Sequence, residues 1–537
     1  MRKNILSILV GSCLMLFAGC ENDFDAKIYG SLSTTNFPAS VADYESYMMD
    51  CYIPFSVNWS YQWGGGSTQH NFYVAEGGIY RMLDTTTDLC SPWTIGTWGG
   101  PWMYMPQCQF EDMKLAGRTS NALPSHFEKV RDITRMTQII GTLEEATVLS
   151  DKKKTELIAE ARLLRGMTMY YLLHFYGPVP VIIDPALVGN LEAEKKMERP
   201  TLAEITSYIT DDLEFAANNM VETQSEKGRY TADYARFCLM RHYLNEGAHM
   251  NGYYQKAYDM YSSFTGSYSL FQNGENPYVD QFKIANEFNC EVIMAVSCSE
   301  TATGSGSLGN FNPFSWYLLG WDASKYDDKG NPTPFVKQGG GWGQCFNIDV
   351  KFYDTFEEND LRKEAIETSY YSFMYGWVTR ADIGTKWDGF ILNKYPIETE
   401  TSFQGTDFPL ARWADVLLMY AEADVRLNKN VSASAIDCVN QVRHRAGLSD
   451  LSAEKTATVD AFMDALLEER GHELYYEGGR KVDLIRFNKY HTIMSSYGRE
   501  PSSQYFPLPN FAVDQAETAG YTLTQYCTRD DYDGPKK

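Results

Sequence analysis

Apolar side chains recur at three- and four-residue steps from His126 onward, the period of helices laid against a core. In KKKTELIAEARLLRGMTMYYLLHFY, Leu157, Ala161, Leu164, Thr168, Tyr171 and Phe175 fall on one face. Gly177-Pro178 stops that helix before the extended run VPVII, and HFEKVRDITRMTQIIGTLEEA precedes it as a partner. Thr201-Leu-Ala-Glu204 spells a capping box that opens a further helix, and YARFCLMRHYLNEGAHM and YYQKAYDMYSSF continue the series. The pattern predicts antiparallel helix pairs over about 126–265, without a strict tetratricopeptide period. A second helical set is expected over about 407–490. It opens with FPLARWADVLLMYAEADVRLN, where Leu410, Trp413, Leu417, Tyr420 and Ala421 form a stripe, and Gly447 is a C-cap further on.

Two stretches lack this period, about 36–117 and 266–406. The first carries NWSYQWGGGSTQ and CSPWTIGTWGGPW. The second begins with EVIMAVS, read as a strand, and continues through a long run rich in Gly, Asn, Trp and Phe. Loops of that length are functional or disordered, and so many aromatics argue against disorder. The fold class expected is mostly α, with helix pairs packed against a loop-rich part holding few short strands.

The amino terminus reads MRKNILSILVGSCLMLFAGCENDFD, and only Ile5 to Phe17 is predominantly apolar, short of the about 20 residues a bilayer core requires. Arg2 and Lys3, the apolar run and the small pair Ala18-Gly19 make residues 1–19 a signal peptide. Cys20 then resembles the lipidated cysteine of a bacterial lipoprotein box, although Phe17 stands where an aliphatic residue is usual. The resemblance implies a diacylglycerol on the thiol and a palmitate-type acyl chain on the new amine. Two chains hold a protein on a membrane stably, where one is marginal. Residues 20–35 read as a polar tether.

The formal net charge of the 537-residue chain is -23, and losing Arg2 and Lys3 with the signal takes it to -25. Such a surface suits no polyanion, so nucleic acid is excluded as a partner. Of 11 cysteines, Cys13 leaves with the signal and Cys20 takes lipid. The other nine form no C-x-x-C pair, so buried thiols are expected rather than a zinc site or a disulfide framework. Aromatic residues make up 14% of the chain, and those in glycine-rich loops have flat faces suited to sugar rings.

Candidate chemistry is sparse. Gly304 to Gly309 spells G-x-G-x-x-G after a strand, but Pro313 stands where the phosphate-binding helix would begin. P-loop, H-E-x-x-H and G-x-S-x-G motifs are absent from the sequence, and no metal or cofactor is expected. Glu469, Glu473 and Glu477 recur at every fourth residue with Arg470 and Arg480 among them, and Glu160 sits near Arg162 and Arg165. Salt-bridged helix faces are the expected reading of both groups. Asp327-Asp328 and Asp530-Asp531 are loop carboxylates without the spacing of a calcium loop.

Several ordered segments resemble the landmarks of the SusD/RagB family: AEARLLRGMTMYYLLHFYGPVPVI, NCEVIMAV, VKFYDTFEENDLRKEA, FPLARWADVLLMYAEADVRLN, AIDCVNQVRHRAG, LLEERGHELYYEGGRKVDLIRF and YFPLPNFAV. The resemblance implies one SusD-like domain over 36–537 with tetratricopeptide-like helix pairs. It implies an outer-membrane lipoprotein facing the exterior, with Glu21, Asp23 and Asp25 suited to outward sorting. It further implies a non-catalytic role: capturing oligosaccharides for a SusC-like TonB-dependent transporter. Arg162, Tyr171, Gly177, Pro178, Arg412, Glu422, Arg443 and Arg445 match structural landmarks of the family rather than ligand contacts. Candidate glycan contacts are the loop aromatics Trp93, Trp98 and Trp102, and Trp316, Tyr317 and Trp321. A surface-attached glycoside hydrolase or an adhesin is the alternative.

Overall fold

The computed structural model describes residues 37–55, 71–74, 77–94, 105–108, 110, 126–196, 198–299, 317–336, 346–400, 404–501 and 503–527. The signal peptide, Cys20 and the tether, the Gly304–Gly309 run and Asp530-Asp531 lie outside them. The chain divides into two compact units, Met1–Tyr47 and Met48–Lys537. In the first, Asp43 accepts from the amides of Ala39 and Ser40 at the start of helix α1 (Val41–Met49).

The second unit is mostly helical. Helices α2 (Val130–Glu145), α3 (Asp151–Tyr176), α4 (Leu202–Asn219), α5 (Ala232–Glu246) and α6 (Tyr253–Met260) pack each against the next. Helices α7 (Trp413–Asn428), α8 (Ala433–Arg445), α9 (Val459–Leu474) and α10 (Arg480–Arg486) form the second set, with α11 (Tyr490–Ser496) and α12 (Asn510–Thr518) after it. The termini follow the local chemistry. Thr201 and Glu204 form the predicted reciprocal box, and Gly177 and Gly447 leave their helices at φ +78° and +77°, a conformation a Cβ would strain.

Strands are short and paired in twos: β1 (Val292–Val296) with β6 (Phe408–Arg412), β2 (Ile366–Glu367) with β5 (Ile391–Leu392), and β3 (Tyr370–Ser372) with β4 (Gly376–Val378). The first pair corrects the sequence reading of a helix from Phe408. Val292 faces Arg412 and Val296 faces Phe408, so the chain is extended there and α7 begins only at Trp413. Pro409 drives only Phe408 out of the helical region, and pairing with β1 holds the rest of the segment extended to Arg412. Leu410 therefore belongs to a strand and not to the stripe of α7.

The two acidic groups read as helix-face ladders are instead buried in long-range pairs. Glu160 accepts from Arg229 at 2.8 Å, while Arg162 and Arg165 both bind Asp212 on α4. Glu473, fully buried, is shared by Arg412 at 2.9 Å, by Arg362 at 3.4 Å and by Arg445. Arg412 also reaches Glu291 and Glu477 at 2.5 Å each, and Glu469 binds Arg362 at 2.6 Å. Arg470, adjacent in sequence, turns the other way to Asp415 and Asp483. Burial alone would raise the Glu473 pKa; Arg445, Arg412, Arg362 and Lys394 outweigh it and hold it down to about 2. Among the described residues, no helix is long and apolar enough to cross a membrane. Eight cysteines are described as free thiols, all buried except Cys290 and Cys527.

Lys481, at the start of α10, is wholly buried, its ammonium position 4.1 Å from the ring of Phe506 and 4.5 Å from that of Phe110. Burial pushes its pKa down to about 7. The unfolded chain keeps that proton to about pH 10.4, so it binds more protons than the folded chain across the intervening window, and stability rises with pH through it. Lys481→Met fills the same volume without the amine. Its expected result is stability at pH 7 no lower than wild type, with the rise between pH 7 and 10 flattened in urea titrations.

Candidate functional site

The described residues expose large apolar rings mainly in one region, 321–378: Trp321, Tyr326, Phe373, Tyr375 and Trp377, with Met374 and Val336. The hairpin β3–β4 organises it. Tyr370 opposes Val378, Tyr371 opposes Trp377 and Ser372 opposes Gly376, so the period of two sends Tyr370, Ser372 and Val378 into the core. Tyr371 and Trp377 face the other way as a cross-strand pair with centroids 5.7 Å apart. Gly376 takes φ +71° to close the turn, which presents Phe373, Met374 and Tyr375 at its tip.

Trp321 reaches the same surface from a separate loop. Its ring is 56% exposed and meets Phe373 at 5.4 Å, nearly perpendicular. The buried carboxylate of Asp322 fastens the loop to the hairpin. It accepts from the hydroxyl of Ser372 at 2.5 Å and from that of Tyr370 at 3.4 Å, while its backbone carbonyl accepts from the amide of Phe373 at 3.0 Å. The Ser324 amide donates to the Tyr371 carbonyl at 2.8 Å. The aromatic surface is therefore preformed, with rings held from beneath rather than packed face to face.

Exposure separates this set from other aromatic clusters. Trp413 stacks between Tyr261 and Tyr268 at 5.6 Å, and Tyr420 covers Tyr261 at 4.3 Å, so those rings close off each other's faces. Of the six loop aromatics singled out from sequence, Trp98, Trp102 and Trp316 lie outside the described residues. Trp93 is buried against Arg81 and Tyr317 is buried against Phe346, so both rings are turned away from solvent. Trp321 alone of the described three offers a free face. Phe373, Tyr375 and Trp377 escaped the sequence reading because YYSFMYGWV lacks the glycine richness of the other loops. Its signal was an apolar tip flanked by alternating rings, with Gly376 at the turn.

Polar chemistry near the surface is self-contained. Asp327 closes its own turn, accepting from the amides of Lys329 and Asn331 at 2.9 and 2.8 Å. Among the described residues no three potential metal ligands converge. Burial raises several carboxyls elsewhere, Asp84 to about 7 among them, and two of these are neighbours: Glu287, pushed up to about 7 by burial and by the charge of Asp407, and Asp407, pushed up to about 6 by burial. They adjoin, since the Asp407 amide donates to Glu287, whereas glycoside hydrolysis places its carboxyls on opposite sides of a bond. A separate cleft of about 820 Å3 lies between α2, α4 and α12, lined by Arg131, Ile182, Arg199, Glu204, Tyr208 and Phe511, a mixed-charge wall without exposed rings in a row.

A family model described as the SusD family matches residues 221–528, and one described as "Starch-binding associating with outer membrane" matches 108–244. The chain is similar to a "SusD-like protein" of Bacteroides ovatus, 26% identical over 73% of this chain and 69% of that one. It is equally similar to the "Starch-binding protein SusD" of Bacteroides thetaiotaomicron, 26% identical over 66% and 69%. Among solved structures, a SusD homolog from B. thetaiotaomicron superposes with a TM-score of 0.69 at 18% identity, over 89% of this chain and 96% of that one. Surface glycan-binding protein A of the same species, solved with laminarihexaose, gives 0.66 at 19% identity over 91% and 99%. The likeness to these structures is one of fold.

Proposed function

The chain belongs to the SusD family, and from that premise we propose that it is a non-catalytic, lipid-anchored glycan-capture protein that passes oligosaccharides to a SusC-like TonB-dependent transporter of the outer membrane. The observation that carries the reading is the preformed aromatic surface of Trp321, Phe373, Tyr375 and Trp377, rings half-exposed and rigidly mounted. Sugar rings stack on such faces through their C–H groups, and the neighbouring hydroxyls stay wet. Relatives named for binding starch and laminarihexaose support a carbohydrate ligand. The anchor is Cys20, followed by the acidic tether to about residue 35, which keeps the captor beside its transporter while leaving it room to move.

The test is a mild-detergent pull-down from the native outer membrane. The expected result is co-recovery of a large TonB-dependent barrel, and release of Cys20→Ala from the membrane fraction. Recovery of the chain without a barrel, or a Cys20→Ala protein that stays membrane-bound, contradicts the reading. Oligosaccharides incubated with the chain are expected to keep their length; shortening that disappears in Glu287→Gln would establish the hydrolase alternative.

A further inference from the structure

The cleft of about 820 Å3 between α2, α4 and α12 shares no residue with the aromatic surface, and its size falls in the range of about 300–1,000 Å3 usual for ligand sites. Pro180, Val181, Ile182, Leu187 and Phe511 give it apolar walls, and the branched chains among them offer no flat face to a sugar ring. The main chain of that wall is open as well. Residues 179–183 leave α3 without entering a helix or strand, and among the described residues the amides of Val181, Ile182 and Ile183 and the carbonyl of Val181 form no hydrogen bond. Two bonds hold the segment from within. The buried Thr137 hydroxyl donates to the Ile182 carbonyl at 2.8 Å, and the buried Arg165 guanidinium donates to that of Ile183 at 3.1 Å.

A fixed segment with unpaired amides and carbonyls is an edge that another extended chain can complete. Charge narrows the occupant further. The side chains of Glu128 and Arg131 both line the cleft, and among the described residues neither forms an ion pair or a hydrogen bond. Other charged groups of the wall are committed: Lys196 to Glu198 at 2.6 Å, Glu194 to the Gly189 amide at 2.8 Å, and Glu204 to the Thr201 cap, while Arg199 lies against the ring of Tyr526. A fatty or sulfated anion would satisfy Arg131 and leave Glu128 and the open amides unmatched. We propose that this cleft binds a short apolar peptide with free ends, its main chain paired along residues 181–183, its carboxylate on Arg131 and its ammonium on Glu128. The inference goes beyond the glycan reading and does not depend on it.

Calorimetric titration of the full chain in mild detergent decides it, with trileucine as the probe. Trileucine with free ends is expected to bind, and the form with both ends blocked to bind at least about tenfold more weakly, the size of a lost charge-assisted hydrogen bond. Trileucine methylated on its amide nitrogens is expected to give no binding heat, a readout that depends on no variant folding. Arg131→Glu, at an exposed position, is expected to weaken the free peptide by a similar factor and to leave oligosaccharide binding as it is in wild type. Ile182→Asp is expected to abolish peptide binding in a chain that still binds oligosaccharide. Absence of heat from free trileucine, equal affinity for the methylated form, or undiminished affinity in Arg131→Glu would each overturn the proposal. Peptide heat that persists in Arg131→Glu and vanishes in Trp321→Ala would place the peptide on the aromatic surface instead, and overturn it too.

Discussion

Glu473→Ala is expected to lower the unfolding free energy by about 3–5 kcal/mol, the range for a buried ion pair stripped of one partner. It stands at the upper end because three arginines share the lost group: Arg412, Arg445 and Arg362, all with side chains closed to solvent. Domains retain only about 5–15 kcal/mol in total, so the loss is a large share of the margin. Urea titration of the variant checks it, with Glu468→Ala, an exposed neighbour on the same helix, expected to stay near wild type. Acid should act through the same groups. Glu473 and Asp483 are both held down to about 2, below the about 4.3 and 3.9 of the unfolded chain. Their contribution is thus fully present above about pH 5 and is lost progressively as pH falls toward 2.

Trp321→Ala and Trp377→Ala are each expected to weaken oligosaccharide binding by about 2 kcal/mol, about 30-fold, the size typical of an aromatic hot spot. Neither should shift thermal unfolding appreciably, because the rings are 56% and 47% exposed and leave no cavity when removed. Trp93→Ala should do the opposite. Its ring is 7% exposed, and truncating a buried aromatic costs about 3–5 kcal/mol of stability, so its folded fraction should still bind. The three variants together separate rings that hold ligand from rings that hold the fold.

Those contrasts mark what the sequence could convey. The capping box at Thr201 and Glu204, the stop at Gly177 and the C-cap at Gly447 were legible because each depends on residues within one helical turn. The boundary at Trp413 was not, since Phe408 to Arg412 join a strand whose partner lies more than a hundred residues earlier. The ionic core failed for the same reason. Spacing put Glu469, Glu473 and Glu477 on one helix face, but α9 ends at Leu474 before Glu477, and the partners Arg362, Arg412 and Arg445 come from three other segments. In the loops, composition singled out aromatics without distinguishing Trp321 from Trp93, because exposure is decided by which carboxylate or ring packs beneath. Asp322 lifts one loop against the hairpin, whereas Arg81 lies against the buried ring of the other.

Calorimetric titration of the chain with an oligosaccharide selected on a glycan array tests the central claim most directly, using wild type beside the Trp321→Ala/Trp377→Ala double variant. The account predicts clear binding heat for wild type and none for a double variant that melts at the wild-type temperature; undiminished affinity in that folded variant would contradict it.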